Sequence, residues 1–236
     1  MNFKNTDVYN IENAIRGMRL PMNSYNKSDS RYETVHTGKC DEGILIECKD
    51  FFIGDNDLDL MQRLIKAGNP HDKFMRQIFV SVDITAPLYW WKEMDQYKVG
   101  TTTNSQSTMH KLSTTPITMD CFETDDYDGT LKIFDNEPYK EDTYIDEIWE
   151  DDIYILETIR QRYLETKDKR YWKALIRRLP ESWLQTRTWT ANYEVLRNIV
   201  HQRKGHKLTE WEQFIDWAHT LPYAEELIIL EDNNEG

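Results

Sequence analysis

The stretch "TWTANYEVLRNIVHQR", residues 188–203, carries the clearest helical pattern in the chain. On a helix that turns about 100° per residue, one face collects four apolar side chains, those of Val195, Leu196, Ile199 and Val200. Asn192 and Arg203 fall on the same face, because eleven residues turn a helix to about 20° past three full turns. The stretch therefore belongs to a predicted helix, over residues 183–203, that carries two polar side chains about 16 Å apart among its apolar ones.

A guanidinium group on that face needs a partner. An unpaired buried charge costs several kcal/mol, so Arg203 must meet an anion or a hydrogen-bonding group. One interpretation is an ion pair with one of the many acidic side chains. The other is contact with a ligand, since the planar fork of arginine binds a phosphate or a carbonyl group well. The pattern alone leaves both open.

Composition narrows the class of protein. The chain has 236 residues and a formal charge of −13, with 39% hydrophobic and 12% aromatic residues. This predicts one globular domain over residues 1–236 rather than a disordered chain. The acidic balance repels phosphate backbones, so no nucleic-acid partner is expected. Basic residues do cluster at Lys167–Arg178 and Arg197–Lys207, which leaves room for a small phosphorylated ligand.

Targeting and metal signals are weak. No apolar run approaches the 18 or so residues of a membrane span, and the start of the chain lacks the apolar core of a signal peptide. The three cysteines have no C-x-x-C spacing, and no histidine pair has a metal-binding arrangement. We expect a reduced, cytoplasmic protein with no membrane partner and no metal.

The N-terminal half alternates between short helices and short strands. The patterns predict a helix through Val8–Met18, a loop over 22–31 and two strands at Tyr32–His36 and Gly43–Cys48. Next come a helix capped by Asp55 or Asp57 and ended by Gly68, a strand at Ile78–Ile84, and a helix at Pro87–Tyr97 capped by Thr85.

The C-terminal half is mainly helical. An acidic surface insertion is predicted at about 120–147, with a short strand at Leu131–Phe134. Helices are predicted at Ile145–Leu164, Lys169–Arg178 and 183–203, followed by one with a capping box of Thr209 and Glu212 and then a frayed tail at 231–236. The fold class is thus α/β: a central mixed sheet flanked by helices, with the last helices packed as a bundle.

The run "LPESWLQTRTWTANYEVLRNIVHQRKGHKLTEWEQF", residues 179–214, resembles the C-terminal half of the flavin-dependent thymidylate synthases. Leu179-Pro180, Asn192 in its Trp-Thr-x-Asn context, Asn198 and Arg203 stand at that family's spacing. The resemblance implies that Asn192 and Asn198 contact a flavin and its surroundings. It also implies that Arg203 approaches a pyrimidine substrate such as dUMP. Arg203 would then be the catalytic residue that polarises the pyrimidine ring by its charge.

A second stretch, "YWWKEMDQYKVGTTTNSQSTMH" at residues 89–110, resembles the family's signature motif in spacing but differs from it at several functional residues. Asn104 and Ser107 match the family's Asn-Glu-x-Ser-x-Arg-Tyr motif, whereas Ser105, Met109 and His110 replace its Glu, Arg and Tyr. Thr102 replaces a serine. Tyr97-Lys98-Val99 stands where the family has Arg-His-Arg, so that only Lys98 keeps a positive charge.

By resemblance, a flavin would be held by Asn192, Asn198, Lys98, Thr102 and Asn104. A nucleotide substrate would be held by Ser105, Ser107 and Arg203, and by Arg177 and Arg178, which adjoin Ile176, where the family has another arginine. Charge-assisted hydrogen bonds are worth about 1.5–3 kcal/mol each. The lost arginines therefore predict weak or absent FAD, and the sequence leaves folate undecided.

Two classes of function remain. One is an enzyme, a divergent member of this family acting on a pyrimidine nucleotide, although the losses argue against ordinary thymidylate synthesis. The other is an inactive protein that sequesters a nucleotide or a nucleotide-derived signal. A purely structural role is disfavoured because no repeat is present. The resemblance further implies a homo-oligomer, a tetramer with its pockets between subunits.

Overall fold

The structure, a computed structural model, describes residues 1–39, 45–134 and 142–230. The strands are β1 (Asn2–Tyr9), β2 (Arg31–Lys39), β3 (Leu45–Phe52), β4 (Phe79–Pro87), β5 (Thr102–Ser105), β6 (Lys132–Phe134), β7 (Thr143–Tyr144) and β8 (Leu184–Asn192). The helices are α1 (Ile11–Arg19), α2 (Asp55–Ala67), α3 (Leu88–Met94), α4 (Thr108–Thr114), α5 (Ile145–Thr166), α6 (Lys169–Arg178), α7 (Tyr193–Arg203) and α8 (Thr209–His219), and a π-helical turn follows at Glu225–Ile229.

A four-stranded sheet with the order β1-β4-β8-β5 organises these elements. Two antiparallel pairs stand apart from it, β2 with β3 and β6 with β7. The alternating pattern of β4 explains its place, because Val80, Val82 and Ile84 are buried while the residues between them are more exposed. The predicted α/β fold class is confirmed.

The chain divides into two compact units. The first unit comprises Met1–Phe3, Asp83–Gln96 and Thr103–Thr188, and the second comprises Lys4–Val82, Tyr97–Thr102 and Trp189–Gly236. The core of the first unit is formed by Leu112, Ile117, Phe122, Leu156, Leu175 and Trp183. In the second unit the rings of Trp189, Trp211 and Trp217 each contact the ring of Phe214 in a tilted or edge-to-face arrangement. The single domain with an acidic insertion stays a prediction.

The largest error of the sequence interpretation is the helix over residues 183–203. Its first part is strand β8, and the helix α7 begins only at Tyr193. Within β8 the side chains alternate, with Gln185, Trp189 and Ala191 buried, and Asn192 at the end of the strand is buried as well. Threonine at every second position from 186 to 190 favours a strand. The apolar stripe of α7 concealed this change of period.

Several element ends also differ. Strand β1 precedes α1, so Val8 belongs to a strand and not to the predicted helix. Thr85 lies within β4 and does not cap α3, and Leu208 rather than Thr209 occupies the N-cap of α8. Gly54 is the N-cap of α2. The predicted tail at 231–236 and the start of the predicted strand at Gly43 lie outside the described residues.

A buried ion pair anchors α1 to α2 in the second unit. Arg19 Nε donates to Asp57 Oδ1 at 2.5 Å, and the side chains are 4% and 0% exposed. The other carboxylate oxygen of Asp57 accepts hydrogen bonds from the hydroxyl groups of Ser28 and Ser30, each at 2.6 Å. Asp57 was predicted as a cap, but its buried network holds the loop before β2 onto α2.

Glu157 on α5 is the corresponding charged anchor of the first unit. Its carboxylate accepts two hydrogen bonds from the buried Arg160, at 2.6 and 2.7 Å, and one from the backbone N–H of Ile117 at 2.9 Å. Hydrogen bonding from Arg160 is the main reason that the pKa of Glu157 is lowered to about 2, against the opposing effect of burial. The backbone N–H of Ile117 and the side chain of Gln161 lower it further.

Replacing this carboxylate should change acid stability. A depressed pKa means that Glu157 stabilises the fold above its ordinary value of 4.5 and loses that contribution as the pH falls towards about 2. We expect Glu157→Gln to be less stable than wild type at pH 7, with the difference shrinking below about pH 4.5. Urea denaturation across this range measures it. Glu165→Gln, which breaks only an exposed pair with Arg162, is the control and should change stability by less than about 1 kcal/mol.

None of the helices in the described part of the chain combines the length and the apolar character that crossing a bilayer requires.

Candidate functional site

Helix α7 presents the residues that the sequence singled out at its two ends. Asn192, 8% exposed, is the N-cap, and its Oδ1 accepts the backbone N–H of Val195 at 3.0 Å. The apolar stripe is confirmed, because Leu196, Ile199 and Val200 are buried. The helix ends at Arg203, shortly before Gly205, which has a φ of 72°. A polar cap thus marks one end and a guanidinium group the other.

The guanidinium group of Arg203 lies between two aromatic rings of the second unit. Its Nε donates to the phenol oxygen of Tyr97 at 2.9 Å. Its central carbon lies 4.3 Å from the ring centre of Trp211 and 5.5 Å from that of Tyr97. The Tyr97 hydroxyl in turn donates to Gln202 Oε1 at 3.2 Å. Arg203 is half-buried, and the two rings set the plane of its fork.

The turn after Tyr97 packs closely on the start of α7. Gly100 has a φ of 75°, a conformation that side chains disfavour. A Cβ atom at Gly100 would lie 3.0 Å from Val195 Cγ2 and 3.1 Å from Asn192 Nδ2. The segment of Tyr97–Thr102 is therefore placed against α7 at Gly100 and against Arg203 through Tyr97. Gly100 is thus a point of tight packing.

Adding one methyl group at Gly100 should disturb this packing. We expect Gly100→Ala to lose about 1–3 kcal/mol for its backbone conformation and more for the crowding against Val195 and Asn192. Gly205→Ala is the matched control, because its φ of 72° is similar and nothing lies within 4 Å of the added Cβ. Urea denaturation of both variants isolates the contribution of the packing. Equal losses would mean that the turn is not held by α7.

The other predicted site residues of the second unit are on the surface. Asn198 is exposed on the outer side of α7, opposite the buried stripe. Lys98 and Thr102 are exposed in the segment around Gly100. Within this unit the structure thus gathers Arg203 with Tyr97, and Asn192 with Gly100. Asn198 on α7, and Lys98 and Thr102 on either side of Gly100, are exposed.

The first unit holds the remaining predicted residues. Asn104, Ser105 and Ser107 are exposed between β5 and α4, where Ser107 caps α4 by accepting the backbone N–H of His110 at 3.4 Å. Arg177 and Arg178 are exposed at the end of α6, and Arg178 donates to Asp152 at 3.3 Å. The predicted residues of this unit thus form two groups, one between β5 and α4 and the other at the end of α6.

The sequence interpretation missed two polar residues of β8. Arg187 stacks on the indole of Trp91, with 4.3 Å from its central carbon to the ring centre, and donates to Asp95 at 2.8 Å. Gln185, 9% exposed, accepts from Arg187 Nε at 2.8 Å and donates towards the segment that contains Ser107. The period of two in β8 was the available signal, since it places Gln185 and Arg187 on one side of a strand.

No family model matches the sequence, and no curated protein matches it. Solved structures do. The flavin-dependent thymidylate synthase ThyX from Helicobacter pylori, complexed with FAD and dUMP, is similar with a TM-score of 0.62 and 16% identity over 96% of this chain and 98% of that chain. The UMP/dUMP methylase PolB from Streptomyces cacaoi, bound with 5-Br dUMP, has a TM-score of 0.51 and 13% identity over 86% of this chain and 96% of that one. The chain therefore has the fold of the flavin-dependent thymidylate synthases, and the resemblance first drawn from residues 179–214 is confirmed at the level of the fold.

Proposed function

We propose that this chain binds a pyrimidine nucleotide in a pocket that Arg203 lines. The observation that carries the proposal is the likeness in fold, along 96% of the chain, to a protein that was solved with FAD and dUMP. The PolB structure extends the likeness to a protein whose bound ligand is again a uracil nucleotide. The proposal includes a homo-oligomer, a tetramer by family resemblance, which light scattering measures.

The chemistry of Arg203 supports this assignment. A guanidinium group held by Tyr97 and Trp211 keeps a fixed plane, and a fixed fork can meet a ring carbonyl or a phosphate without losing much rotamer freedom. In the proposed site Arg203 binds the pyrimidine or its phosphate. By resemblance, Asn192 and Asn198 supply neutral donors and acceptors beside it. In a pocket between subunits of the proposed oligomer, Asn104, Ser105 and Ser107 would contact the nucleotide, as would Arg177 and Arg178. These roles are proposals carried by the resemblance.

The segment of Tyr97, Lys98 and Val99 fits a flavin dinucleotide poorly. Val99 is 88% exposed and apolar, and the Tyr97 hydroxyl is directed at Arg203 and Gln202. Lys98 is thus the one cation that these three residues offer to a pyrophosphate, as a point charge without a bidentate fork. We therefore derive no step of a reaction through FAD.

Weak or absent FAD is the expected result for the purified protein. The visible absorption spectrum and mass spectrometry of the denatured protein measure it, and the second method also identifies any other small molecule that co-purifies. A yellow preparation with one FAD per chain would contradict the prediction and favour the enzyme. Val99→Arg is the informative variant, because it restores one guanidinium group at an exposed position and should raise FAD affinity about tenfold or more.

Calorimetric titration tests the proposed function directly. We expect dUMP or UMP to bind and deoxyuridine to bind more weakly, because only the nucleotides bring a phosphate. No heat and no thermal stabilisation with either nucleotide would overturn the proposal. The second candidate, sequestration without catalysis, is favoured by the replaced arginines at residues 97 and 99. Turnover of dUMP, with added FAD, folate donor and reductant, distinguishes the two, since a sequestering protein returns the nucleotide unchanged.

A further inference from the structure

The segment of Asn104–Thr108 in the first unit is exposed but not loosely attached. It comprises the last two residues of β5, the two connecting residues Gln106 and Ser107, and Thr108, the first residue of the short helix α4. The backbone N–H of Gln106 donates to the carbonyl oxygen of Thr186 on β8 at 2.9 Å. Pairing of β5 with β8 holds Asn104 and Ser105. Gln106 and Ser107 lie beyond the strand, and each ordered residue costs about 1–2 kcal/mol of backbone entropy. Further contacts must hold the segment.

Gln185 on β8 supplies them through its side chain. Its Nε2 donates to the carbonyl oxygen of Gln106 at 2.9 Å and to the hydroxyl oxygen of Thr108 at 2.9 Å. Its Oε1 accepts from Arg187 Nε at 2.8 Å. Both N–H groups and the oxygen of this nearly buried carboxamide are therefore used, and two of its three hydrogen bonds go to the segment.

Arg187 fixes which way the carboxamide points. A guanidinium group only donates, so the carboxamide oxygen has to face Arg187 and the NH2 group has to face the segment. Arg187 is itself held by Asp95 and by the face of Trp91. The indole N–H of Trp91 donates to the backbone carbonyl of Gln185 at 3.0 Å, which closes the arrangement. A flipped carboxamide would place two donors against one another at Arg187.

We propose that Gln185 is a positioning residue, oriented by Arg187, that latches the Asn104–Thr108 segment to β8 and so sets its side chains for the nucleotide. The role in nucleotide binding rests on the proposed function. The latch, meaning the attachment of the segment to β8 by the two hydrogen bonds of Gln185, does not. Asn104, Ser105 and Ser107 have short polar side chains whose positions follow the backbone closely. A free segment would have to be ordered by the ligand, which lowers affinity.

Gln185→Glu separates the latch from packing. Glutamate has the same shape and still accepts from Arg187, but it cannot donate to the carbonyl oxygen of Gln106, which then faces a carboxylate. The Thr108 hydroxyl can turn and donate to the glutamate, so the lost contact is the one with Gln106. Gln96→Glu is the matched control, because the Gln96 carboxamide also donates to a backbone carbonyl, that of Lys92, and lies on the surface outside the segment. Both variants add the same negative charge to the protein.

Two measurements are made on the full-length protein. Hydrogen–deuterium exchange without ligand reports the order of the segment, and calorimetric titration with dUMP and UMP reports affinity. For Gln185→Glu we expect exchange at residues 104–108 to be at least tenfold faster and nucleotide affinity at least tenfold weaker. We expect both to be unchanged in Gln96→Glu.

Unchanged exchange in Gln185→Glu would overturn the latch. Faster exchange with unchanged affinity would overturn the positioning role, because the segment would then not serve the site. Should the wild-type protein bind neither nucleotide, the proposed function fails together with the positioning role, while the exchange measurement still decides the latch. If Gln185→Glu fails to fold, Thr108→Val, which removes one of the two contacts, should accelerate exchange to a smaller extent, and no change would overturn the latch.

Discussion

Asp57→Ala is expected to lower the free energy of unfolding by about 3–5 kcal/mol, because it leaves a nearly buried arginine without its carboxylate. Arg19 is 4% exposed and its Nε is held by Asp57. The change also removes the acceptor of the Ser28 and Ser30 hydroxyls. For a chain of this size the loss corresponds to a fall in melting temperature of about 6–20 °C. Urea denaturation and thermal melting measure it.

Asp59→Ala is the matched control for this prediction. Asp59 lies two residues further along α2, and its partner Arg63 is four residues away on the same helix. The two side chains are 66% and 65% exposed, so solvent screens the pair and its loss should cost less than about 1 kcal/mol. Comparable losses in the two variants would show that the Arg19–Asp57 pair is no anchor.

The same pair predicts a dependence on pH. Burial would raise the pKa of the Asp57 carboxyl, but hydrogen bonds from Ser28, Ser30 and Arg19 lower it below its ordinary value. A carboxyl with a depressed pKa stabilises the fold above its unfolded pKa, and the stabilisation is lost as the pH falls through the folded pKa. The stability difference between wild type and Asp57→Ala should therefore be full at pH 7 and should shrink below about pH 4.

Local patterns predicted the elements whose period does not change. Helix α6 has the predicted bounds, and α2 ends at Gly68 because its φ of 66° suits a residue without a side chain. The residues before α7 were misread because a strand and a helix follow one another without a turn, as β8 ends at Asn192 and α7 begins at Tyr193. Only a tertiary partner, such as β4 beside β8, decides where such a chain changes its conformation.

The sequence singled out Arg203 and Asn192 but not the contacts that they make in the structure. The spacing placed Asn192 and Arg203 on the apolar face of a predicted helix, whereas in the structure Asn192 is the N-cap of α7. It could not indicate that the hydroxyl of Tyr97, 106 residues earlier in the chain, accepts a hydrogen bond from the guanidinium group of Arg203. Gln185 carried no signal at all in a helical interpretation, since its role depends on the side of a strand on which it lies.

Arg203→Ala is the prediction that bears most on function. We expect nucleotide affinity to fall about 10- to 150-fold, since a charge-assisted hydrogen bond is worth about 1.5–3 kcal/mol and each 1.4 kcal/mol is tenfold. We expect the ligand-free protein to lose about 1–3 kcal/mol of stability, because the hydrogen bond to Tyr97 and the stacking on Trp211 are removed. Calorimetric titration with dUMP or UMP and thermal melting are made on the same variant. Arg63→Ala, which removes an exposed arginine of α2, is the control.

Tyr97→Phe tests the mechanism by which Arg203 would act. It keeps the aromatic ring and removes the hydroxyl that accepts from Arg203 Nε. If the rings serve to fix the plane of the guanidinium group, affinity should fall in Tyr97→Phe but by less than in Arg203→Ala, because Trp211 still stacks on the group. Equal affinity in Tyr97→Phe and wild type would mean that orientation by the phenol is not needed for binding.

The competing interpretation of Arg203, an ion pair with a buried acid, predicts the reverse pattern. Removing the arginine would then strand a carboxylate and cost about 3–5 kcal/mol of stability, while nucleotide affinity would be unaffected in the protein that remains folded. Arg203→Lys sharpens the distinction, because lysine keeps the charge for an ion pair but loses the planar fork that a ring carbonyl or phosphate requires. A ligand role therefore predicts a stable Arg203→Lys variant with weakened binding. A large fall in melting temperature in Arg203→Ala, restored by lysine and accompanied by unchanged affinity, would assign Arg203 to the fold and remove it from the site.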